Sequence, residues 1–281
     1  MSPQGTIPKV APPAPKSKTN KGAANVSSLK LSTRTRQQPV PKIVINAVEG
    51  WGKTSTVAHA PDVAILEARE ERGYENLQDA GLVPEVPCAR VEEWPQLIKF
   101  LREQVKTTPE YKVLALDALD GFERLCHEWV CDELYNGDWG PQGFGNFGKG
   151  YKSSLKEIIS MLQLLDQLNE KGITIVFLGH STIKRQNVPG TEGFDRFICD
   201  VNDRTWGVVA RWAYAVLFGN YRTVIDKKDG KNIGLGRADR VLYTQRRDIF
   251  DAKNQYGMPE QIDVPDDPAK VWETITSYIG G

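Results

Sequence analysis

A glycine-containing turn that ends in lysine and threonine is the part of this sequence with the clearest chemistry. Residues 45–55 read INAVEGWGKTS, and Gly52-Lys53-Thr54 fits the second half of the phosphate-binding pattern G-x-x-x-x-G-K-[ST]. The first glycine of that pattern would be residue 47, where this chain has alanine. The segment is therefore either a nucleotide site with one substitution or a chance GKT in a loop.

Each residue type in this turn has a defined role if the turn binds phosphate. Glycine lets backbone N–H groups face phosphate oxygens, and the start of the following helix adds the positive end of its dipole. Lys53 would reach the β- and γ-phosphates, and the Thr54 hydroxyl would bind Mg²⁺. Ala47 is compatible if its backbone keeps a negative φ, and the bulky Trp51 is expected to point outward. The predicted nucleotide-binding residues are Val48, Glu49, Gly50, Trp51, Gly52, Lys53, Thr54 and Ser55.

A carboxylate after a second apolar run supports the nucleotide interpretation. Residues 113–116 read VLAL and lead into Asp117, which matches the strand-then-aspartate pattern that holds the Mg²⁺ shell of phosphoryl-transfer sites. We expect this strand to lie beside the phosphate loop. Asp120 is an alternative metal ligand or the N-cap of the next helix. Because both motifs have the required strand and helix context, we interpret the pair as a nucleotide site.

The elements that must position these residues alternate between short apolar runs and helical patterns. Strands are predicted at 42–47, 62–68, 111–119 and 173–180, and helices from Lys53 and over 92–105, 121–135 and 151–172, the last ending at a C-cap glycine. Residues 212–226 and 240–245 read as antiparallel strands. The predicted fold class is α/β, with a mainly parallel sheet, helices on both faces and added antiparallel strands.

The first 38 residues have a different composition from the rest of the chain. Residues 1–48 contain no Asp or Glu, and Pro, Ser, Ala and Lys dominate the segment up to about residue 30. Such a segment buries too little apolar surface to fold alone. We predict a disordered basic arm over 1–38 and one domain over 39–281. The arm is either a solvated tail or a contact for nucleic-acid phosphates.

Two long segments and the cysteines complete the sequence-based expectations. Residues 136–150 are rich in glycine, with Phe144 and Phe147 among them, and residues 181–207 mix arginines, lysines and aromatics. Loops of this length are usually functional or disordered. The four cysteines show no metal-ligand spacing and are expected to be free thiols. No leader or membrane-spanning run is apparent, so we expect a cytoplasmic protein without membrane contact.

Seven motifs in order resemble those of the phage RecA-like ATP-binding proteins, which are related to the single-strand annealing ATPases of phage recombination. These are EGWGKTS, ILEAREERGYENL, YKVLALDALDGFERL, GKGYKSSL, VFLGHSTIK, WAYAVLFGNY and RVLYTQRRDIFDAKNQYGMPE, and the resemblance covers about residues 41–275. It implies a RecA-like P-loop core, ATP with Mg²⁺, and a role on phage DNA in the host cytosol. It also implies that both long segments contact single-stranded DNA, unless they are packed surface loops, and the one at 136–150 could instead be a nucleotide lid.

The resemblance assigns further roles residue by residue. Lys53 and Thr54 would bind phosphate and Mg²⁺, and Asp117 would complete the metal site. Glu71 would polarise the attacking water, with Glu67 and Glu70 as alternatives, or all three would form a solvated acidic helix start. His180 would sense the γ-phosphate, unless it is structural. Lys253 would reach the ATP of a neighbouring subunit in a homo-oligomer, or be a plain surface lysine; Gln255 departs from the family's arginine and puts strong cooperative hydrolysis in doubt.

Two functions from different classes follow. The first is a Mg²⁺-dependent RecA-like ATPase in phage recombination or single-strand annealing. The second is a single-stranded-DNA-binding or annealing module with ATP as a structural ligand and negligible turnover. Ala47 and Gln255 favour the second function, whereas Asp117, Glu71 and His180 favour the first. A small-molecule kinase is a third candidate, but no acceptor pocket is apparent in the sequence.

Overall fold

The computed structural model of the chain describes residues 33, 38–187, 190, 192–228 and 231–279, and within 223–238 it describes the backbone alone. The predicted basic arm therefore lies almost entirely outside the described residues. Ten strands and seven helices lie within the described part. The strands are β1 Lys42–Ala47, β2 Val63–Ala68, β3 Cys88–Val91, β4 Val113–Asp117, β5 Thr174–Gln186, β6 Phe194–Cys199, β7 Ala215–Lys228, β8 Lys231–Tyr243, β9 Lys253–Asn254 and β10 Gln261–Asp263. The helices are α1 Lys53–Ala58, α2 Gly73–Asp79, α3 Trp94–Lys106, α4 Leu119–Tyr135, α5 Lys149–Glu170, α6 Asp203–Trp212 and α7 Pro268–Ile279.

One sheet contains all of these strands. Its order is β10-β8-β7-β1-β5-β4-β2-β3, with β6 added to β5 and β9 added to β7. The strands from β7 to β3 in this order pair in parallel, and β8, β10, β6 and β9 pair antiparallel. The predicted α/β class, with a mainly parallel sheet and added antiparallel strands, is confirmed.

Two cores, one on each face of the sheet, explain why all six residues of β1 are buried. Val44 belongs to a core that also contains apolar side chains of α3, α4 and α5, whereas Ile43 and Ile45 belong to a core shared with α1 and α7. Because side chains alternate along a strand, a strand covered on both faces is buried on both, and most of its residues are apolar. The exceptions in β1 are Lys42 and Asn46, which are buried polar residues. The helices therefore lie on both faces, as expected. No helix in the described residues is long and apolar enough to cross a membrane.

Several predicted boundaries change. The strand predicted at 111–119 ends at Asp117, because α4 begins at Leu119. The strand predicted at 173–180 continues to Gln186, because its second half pairs with β6. Residues 181–207 are therefore a hairpin followed by α6 rather than a loop. The long helix α5 ends near Gly172, whose φ of 92° fits the predicted glycine C-cap.

The parallel strands bring their carboxyl ends to one edge of the sheet, where the candidate site lies. Ala47 at the end of β1 is level with His180 in β5, and Glu67 in β2 is level with Asp117 in β4. Strand β5 lies between β1 and β4, so β4 is not the neighbour of β1, although Asp117 at its end reaches Thr54 beside the phosphate loop. Ligands of open α/β sheets bind at this edge.

Candidate functional site

The turn between β1 and α1 has the backbone of a phosphate-binding loop. Gly50 has a φ of 70° and Gly52 a φ of 99°, values that favour glycine. Among the described residues, none accepts a hydrogen bond from the backbone N–H of Gly52, Lys53, Thr54 or Ser55. Val48 has its N–H bonded to Gly219 at 3.1 Å. The unpaired amides at the helix start are the donors that phosphate oxygens require, so the loop fits a nucleotide.

The Lys53 side chain lies inside the site. Its Nζ donates to the carbonyl of Ala47 at 3.3 Å, and the residue is only 8% exposed. Burial lowers the pKa of Lys53, while the charges of Asp117, Asp120 and Glu71 act in the opposite direction. The Lys53 ammonium therefore lies over its own loop, near these carboxylates, where it can bind a negatively charged phosphate.

Thr54 in α1 and Asp117 at the end of β4 are in direct contact, although β1, which leads into the loop, and β4 are not neighbours. The Thr54 hydroxyl donates to Oδ2 of Asp117 at 2.6 Å. Burial raises the pKa of Asp117, and the Thr54 hydrogen bond and the Lys53 charge oppose that rise. A hydroxyl and a carboxylate are hard oxygen ligands of the kind that Mg²⁺ takes beside substrate phosphates. These two residues fit a Mg²⁺ site, and both were predicted.

The three glutamates considered for water activation occupy different environments. Glu67 is fully buried and accepts the N–H of Tyr74 at 2.8 Å, so its role is structural. Glu70 forms ion pairs with Arg69 and Arg124 at the surface. Glu71 faces the site, with Oε1 3.8 Å from Nδ1 of His180. Burial raises the pKa of Glu71, assisted by the charges of Asp117 and Asp120 and opposed by that of His180. Of the three, Glu71 is the one that lies beside His180, and its role as a general base stays a prediction.

His180 lies beside the start of the loop, level with Ala47, and β5 continues past it. Its Nδ1 is 3.1 Å from both oxygens of Asp120. Ala118 is the cap residue of α4, so the N-cap alternative for Asp120 is wrong. Asp120 pairs with His180 rather than with Thr54, and its alternative role as a metal ligand stays a prediction. Glu71, Asp120 and His180 offer ligand atoms that all lie within 4.8 Å of one another.

The expected outward orientation of Trp51 is wrong. The side chain is 0% exposed and packs in the core that Ala47 and Leu217 share, with Nε1 donating to the carbonyl of Val241 at 3.2 Å. A Cβ on Gly219 would lie 2.7 Å from the indole ring, so the missing side chain at Gly219 gives the ring its space. The Trp51 side chain therefore anchors the loop in this core.

Two residues that sequence reasoning missed hold the outside of the loop. Arg240 donates to the carbonyl of Trp51 at 2.9 Å and to that of Pro265 at 2.6 Å. The Tyr221 hydroxyl donates to the carbonyl of Gly50 at 2.6 Å. Both residues lie on the hairpin of β7 and β8, far from the phosphate-loop motif in sequence. The motifs that contain them assigned neither a role. They stabilise the loop shape that leaves its amides free.

Lys253 is not brought to this site. Its Nζ donates to three carbonyls at the end of α6, those of Ala210 at 3.0 Å, Arg211 at 3.2 Å and Ala213 at 2.7 Å. The Lys253 backbone pairs with Val216 near the start of β7. Val216 is level with Val44 in β1, three residues before Ala47 and the loop. Within the chain the role of Lys253 is to cap a helix. Contact with a neighbouring subunit's ATP stays a prediction.

The two long segments are more ordered than expected. Phe144, predicted to stack on DNA bases, is 1% exposed and packs against the rings of His127, Tyr135 and Tyr151. Phe147 in the same segment is 94% exposed. The hairpin of β5 and β6 and the start of α6 enclose a cavity of about 430 Å³, lined by Lys184, Arg196, Trp206 and Asp251 among others.

The four cysteines are free thiols, as expected, and all but Cys88 are buried.

Three comparisons with known proteins gave one family, no curated relative and similar solved structures. A family model described as "AAA domain" matches residues 40–256. No curated protein matches the sequence. A solved structure that is similar is that of the flagellar accessory protein FlaH from Methanocaldococcus jannaschii, with a TM-score of 0.40 at 9% identity, covering 81% of this chain and 85% of that chain.

Proposed function

The chain belongs to the AAA domain family of P-loop nucleotide-binding proteins, and from this premise we propose that it is a Mg²⁺-dependent ATPase. The observation that carries the proposal is the 2.6 Å contact of Thr54 with Asp117, next to the buried ammonium of Lys53 and the free amides of the loop. Together these groups supply donors for phosphate, a counter-charge and two oxygen ligands for a metal. Glu71 adds a base on the same side.

The side chains divide the work of hydrolysis among them. The amides of the loop and Lys53 bind and orient the phosphates, which accounts for much of catalysis in phosphoryl transfer. Thr54 and Asp117 would hold a Mg²⁺ ion, which would neutralise the charge that develops on the phosphates. Glu71 orients a water and accepts its proton, a role that suits a carboxyl whose pKa is raised by burial. His180 presents a ring to the same space.

Turnover measured against Mg²⁺ concentration tests the proposal. Asp117→Asn keeps the size of the side chain but removes the charge, so it should weaken Mg²⁺-dependent ATP binding and raise the Mg²⁺ concentration needed for phosphate release. Asp79→Asn is the matched control, because Asp79 is exposed at the end of α2. Equal Mg²⁺ dependence in the two variants would contradict the assignment.

We also propose that the ATPase acts on single-stranded DNA in phage recombination or annealing. The support from this chain is a surface between α4 and α5 where Phe147 and Trp139, 94% and 52% exposed, stand near Lys149 and Lys152. Exposed rings stack on bases and lysines follow phosphates in single-strand-binding proteins. Stimulation of phosphate release by a short single-stranded oligonucleotide, but not by the same sequence as a duplex, is the expected result.

A second function, a DNA-binding module with ATP as a structural ligand, is favoured by one observation. The three donors of Lys253 are engaged by carbonyls of its own chain, so this lysine brings no free cation to a neighbouring site. An ATP analogue that binds tightly, with no phosphate release with or without single-stranded DNA, would establish this function instead.

A further inference from the structure

Asp120 makes contacts that none of the roles considered above explains. It lies in the first turn of α4, and its carboxylate is 10% exposed. Both oxygens are 3.1 Å from Nδ1 of His180, and Oδ1 also accepts the backbone N–H of His180 at 3.4 Å. Asp120 thus ties the start of α4 to β5 at the level of the phosphate loop.

His180 is surrounded by charged groups from each element packed against it. Asp120 faces it from α4, Glu71 from the turn after β2, and Lys53 from α1. Asp117 at the end of β4 is close enough for its charge to interact with the ring. On the side of β6, the backbone N–H of Asp200 bonds to the carbonyl of His180. The ring is one-third exposed, and its Nε2 has no hydrogen-bond partner within the described part of the chain.

We infer that Asp120 is a positioning residue of the nucleotide site, which holds the Nδ1 edge of His180 so that Nε2 is the ring atom available to the terminal phosphate. The inference rests on the proposed function, because it assigns a role within the same site. Two oxygens on one ring nitrogen fix the plane of the imidazole and keep a proton on Nδ1. Without Asp120 the ring would be free to rotate and to exchange tautomers.

The tautomer decides what His180 can do. With the Nδ1 proton held by Asp120, a neutral ring has only a lone pair at Nε2, whereas an imidazolium has an N–H there that can donate to a phosphate oxygen. The hydrogen bond to Asp120 is the main cause that raises the pKa of His180, and burial acts against it. Burial likewise disfavours the charge of Asp120, yet the hydrogen bond and the charge of His180, together with backbone hydrogen bonds, outweigh burial and lower the pKa of the carboxyl. Asp120 therefore extends the pH range over which His180 can donate to phosphate.

Imidazole NMR of the full chain tests the contact without relying on turnover. The chain has three histidines, and His180→Gln assigns the resonance. Asp120→Asn should lower the titration midpoint of His180 relative to wild type. Asp132→Asn should leave it unchanged, because Asp132 is exposed on the same helix about 18 Å further along. An unchanged midpoint in Asp120→Asn would overturn the inference.

Addition of nucleotide then tests this inference separately from the proposed function. Addition of Mg²⁺ and a non-hydrolysable ATP analogue should shift the His180 resonance more than ADP does in wild type, and this difference should vanish in Asp120→Asn. An analogue that does not bind wild type would refute the proposed function. An analogue that binds without moving His180 would refute the inference alone.

Measurement of ATP turnover is the last part of the test. Asp120→Asn should lower kcat by about 10–100-fold, the loss common when the hydrogen-bond partner of a functional histidine is removed, with a smaller change in KM. In the His180→Gln background the same substitution should cost nothing further, because a positioning residue acts through its partner. Additive losses would overturn the inference. If Asp120→Asn fails to fold, Asp120→Glu replaces it, with the carboxylate displaced by one methylene and the same directions expected.

Discussion

Lys53 is a buried cation at the place where the proposed function puts the phosphates. It is 8% exposed, and three carboxylates surround its ammonium. We predict that Lys53→Ala abolishes ATP binding or turnover and leaves the fold intact, because the lysine faces the loop rather than the cores. Affinity for a fluorescent ATP analogue, with circular dichroism as the check on folding, measures both effects. Lys99→Ala, at an exposed position of α3, is the control. Undiminished affinity in Lys53→Ala would disprove the assignment.

Glu71 should separate binding from hydrolysis. Glu71→Gln is expected to keep ATP bound but to slow hydrolysis by ~10²–10⁴-fold, the usual contribution of a positioned general base. Glu70→Gln is the matched control, since Glu70 is ion-paired at the surface one residue away. Single-turnover phosphate release with bound ATP measures the chemical step. Normal release in Glu71→Gln together with slow release in Glu70→Gln would transfer the role to Glu70.

Single residues of the site were predictable where a motif fixes their position and not where distant chain segments do. Lys53, Thr54 and Asp117 come together as the two motifs indicated. The choice among Glu67, Glu70 and Glu71 needed the structure. The three carboxylates lie within five residues, and the sequence does not show which of them the end of β2 and the following turn direct into the site. Trp51 was misjudged because the core it enters is formed by β7 and β8, nearly two hundred residues away in sequence.

Among the helices, α4 depends on a glycine for its approach to β2. A Cβ on Gly121 would lie 2.6 Å from Cβ of Ala68, whereas a Cβ on Gly207 in α6 would meet nothing within 4 Å. We predict that Gly121→Ala lowers the free energy of unfolding by about 1–3 kcal/mol through overpacking. Gly207→Ala should raise it by about 0.5–1 kcal/mol, because alanine favours the helix. Thermal unfolding of the two variants measures both signs. A Gly121→Ala protein as stable as Gly207→Ala would show that α4 can move away without cost.

The long, strongly patterned elements were predicted and the short or half-exposed ones were not. β1 matches its predicted limits, and α3, α4 and α5 differ from theirs by about two residues. β3 was missed because it has four residues, two of them exposed, and so carries no apolar run. β6 was missed because its pattern, FDRFIC, mixes charges that the hairpin pairs across strands, such as Arg185 with Asp195. Pairing of this kind is decided by tertiary contacts rather than by local pattern.

Stability of the whole chain should depend on pH through His127. Burial lowers the pKa of His127 to about 4 from 6.5. The unfolded chain therefore binds a proton that the folded chain does not, so the stability tied to this residue is present above about pH 6.5 and declines as the pH falls toward 4. His127→Gln should remove that decline, measured as the difference in unfolding free energy from wild type between pH 7 and pH 4.5. His180→Gln should change the dependence with the opposite sign, because the pKa of His180 is raised. A wild-type-like slope in His127→Gln would contradict the first expectation.

Binding of single-stranded DNA, if it involves the basic arm, should show in the salt dependence of the full chain. Residues 1–38 carry Lys9, Lys16, Lys18, Lys21, Lys30, Arg34 and Arg36 and no acidic residue. Each phosphate neutralised on a single strand contributes about 0.7 to the slope of log affinity against log salt, because counterions are released. Deletion of 1–38 should therefore weaken binding of a fluorescent oligonucleotide and flatten that slope. Phe147→Ala should weaken binding with little change in slope, because stacking releases few ions. The control is Tyr278→Ala, because Tyr278 is an exposed ring on α7. Identical slopes for the full-length and truncated chains would exclude the arm as a DNA contact.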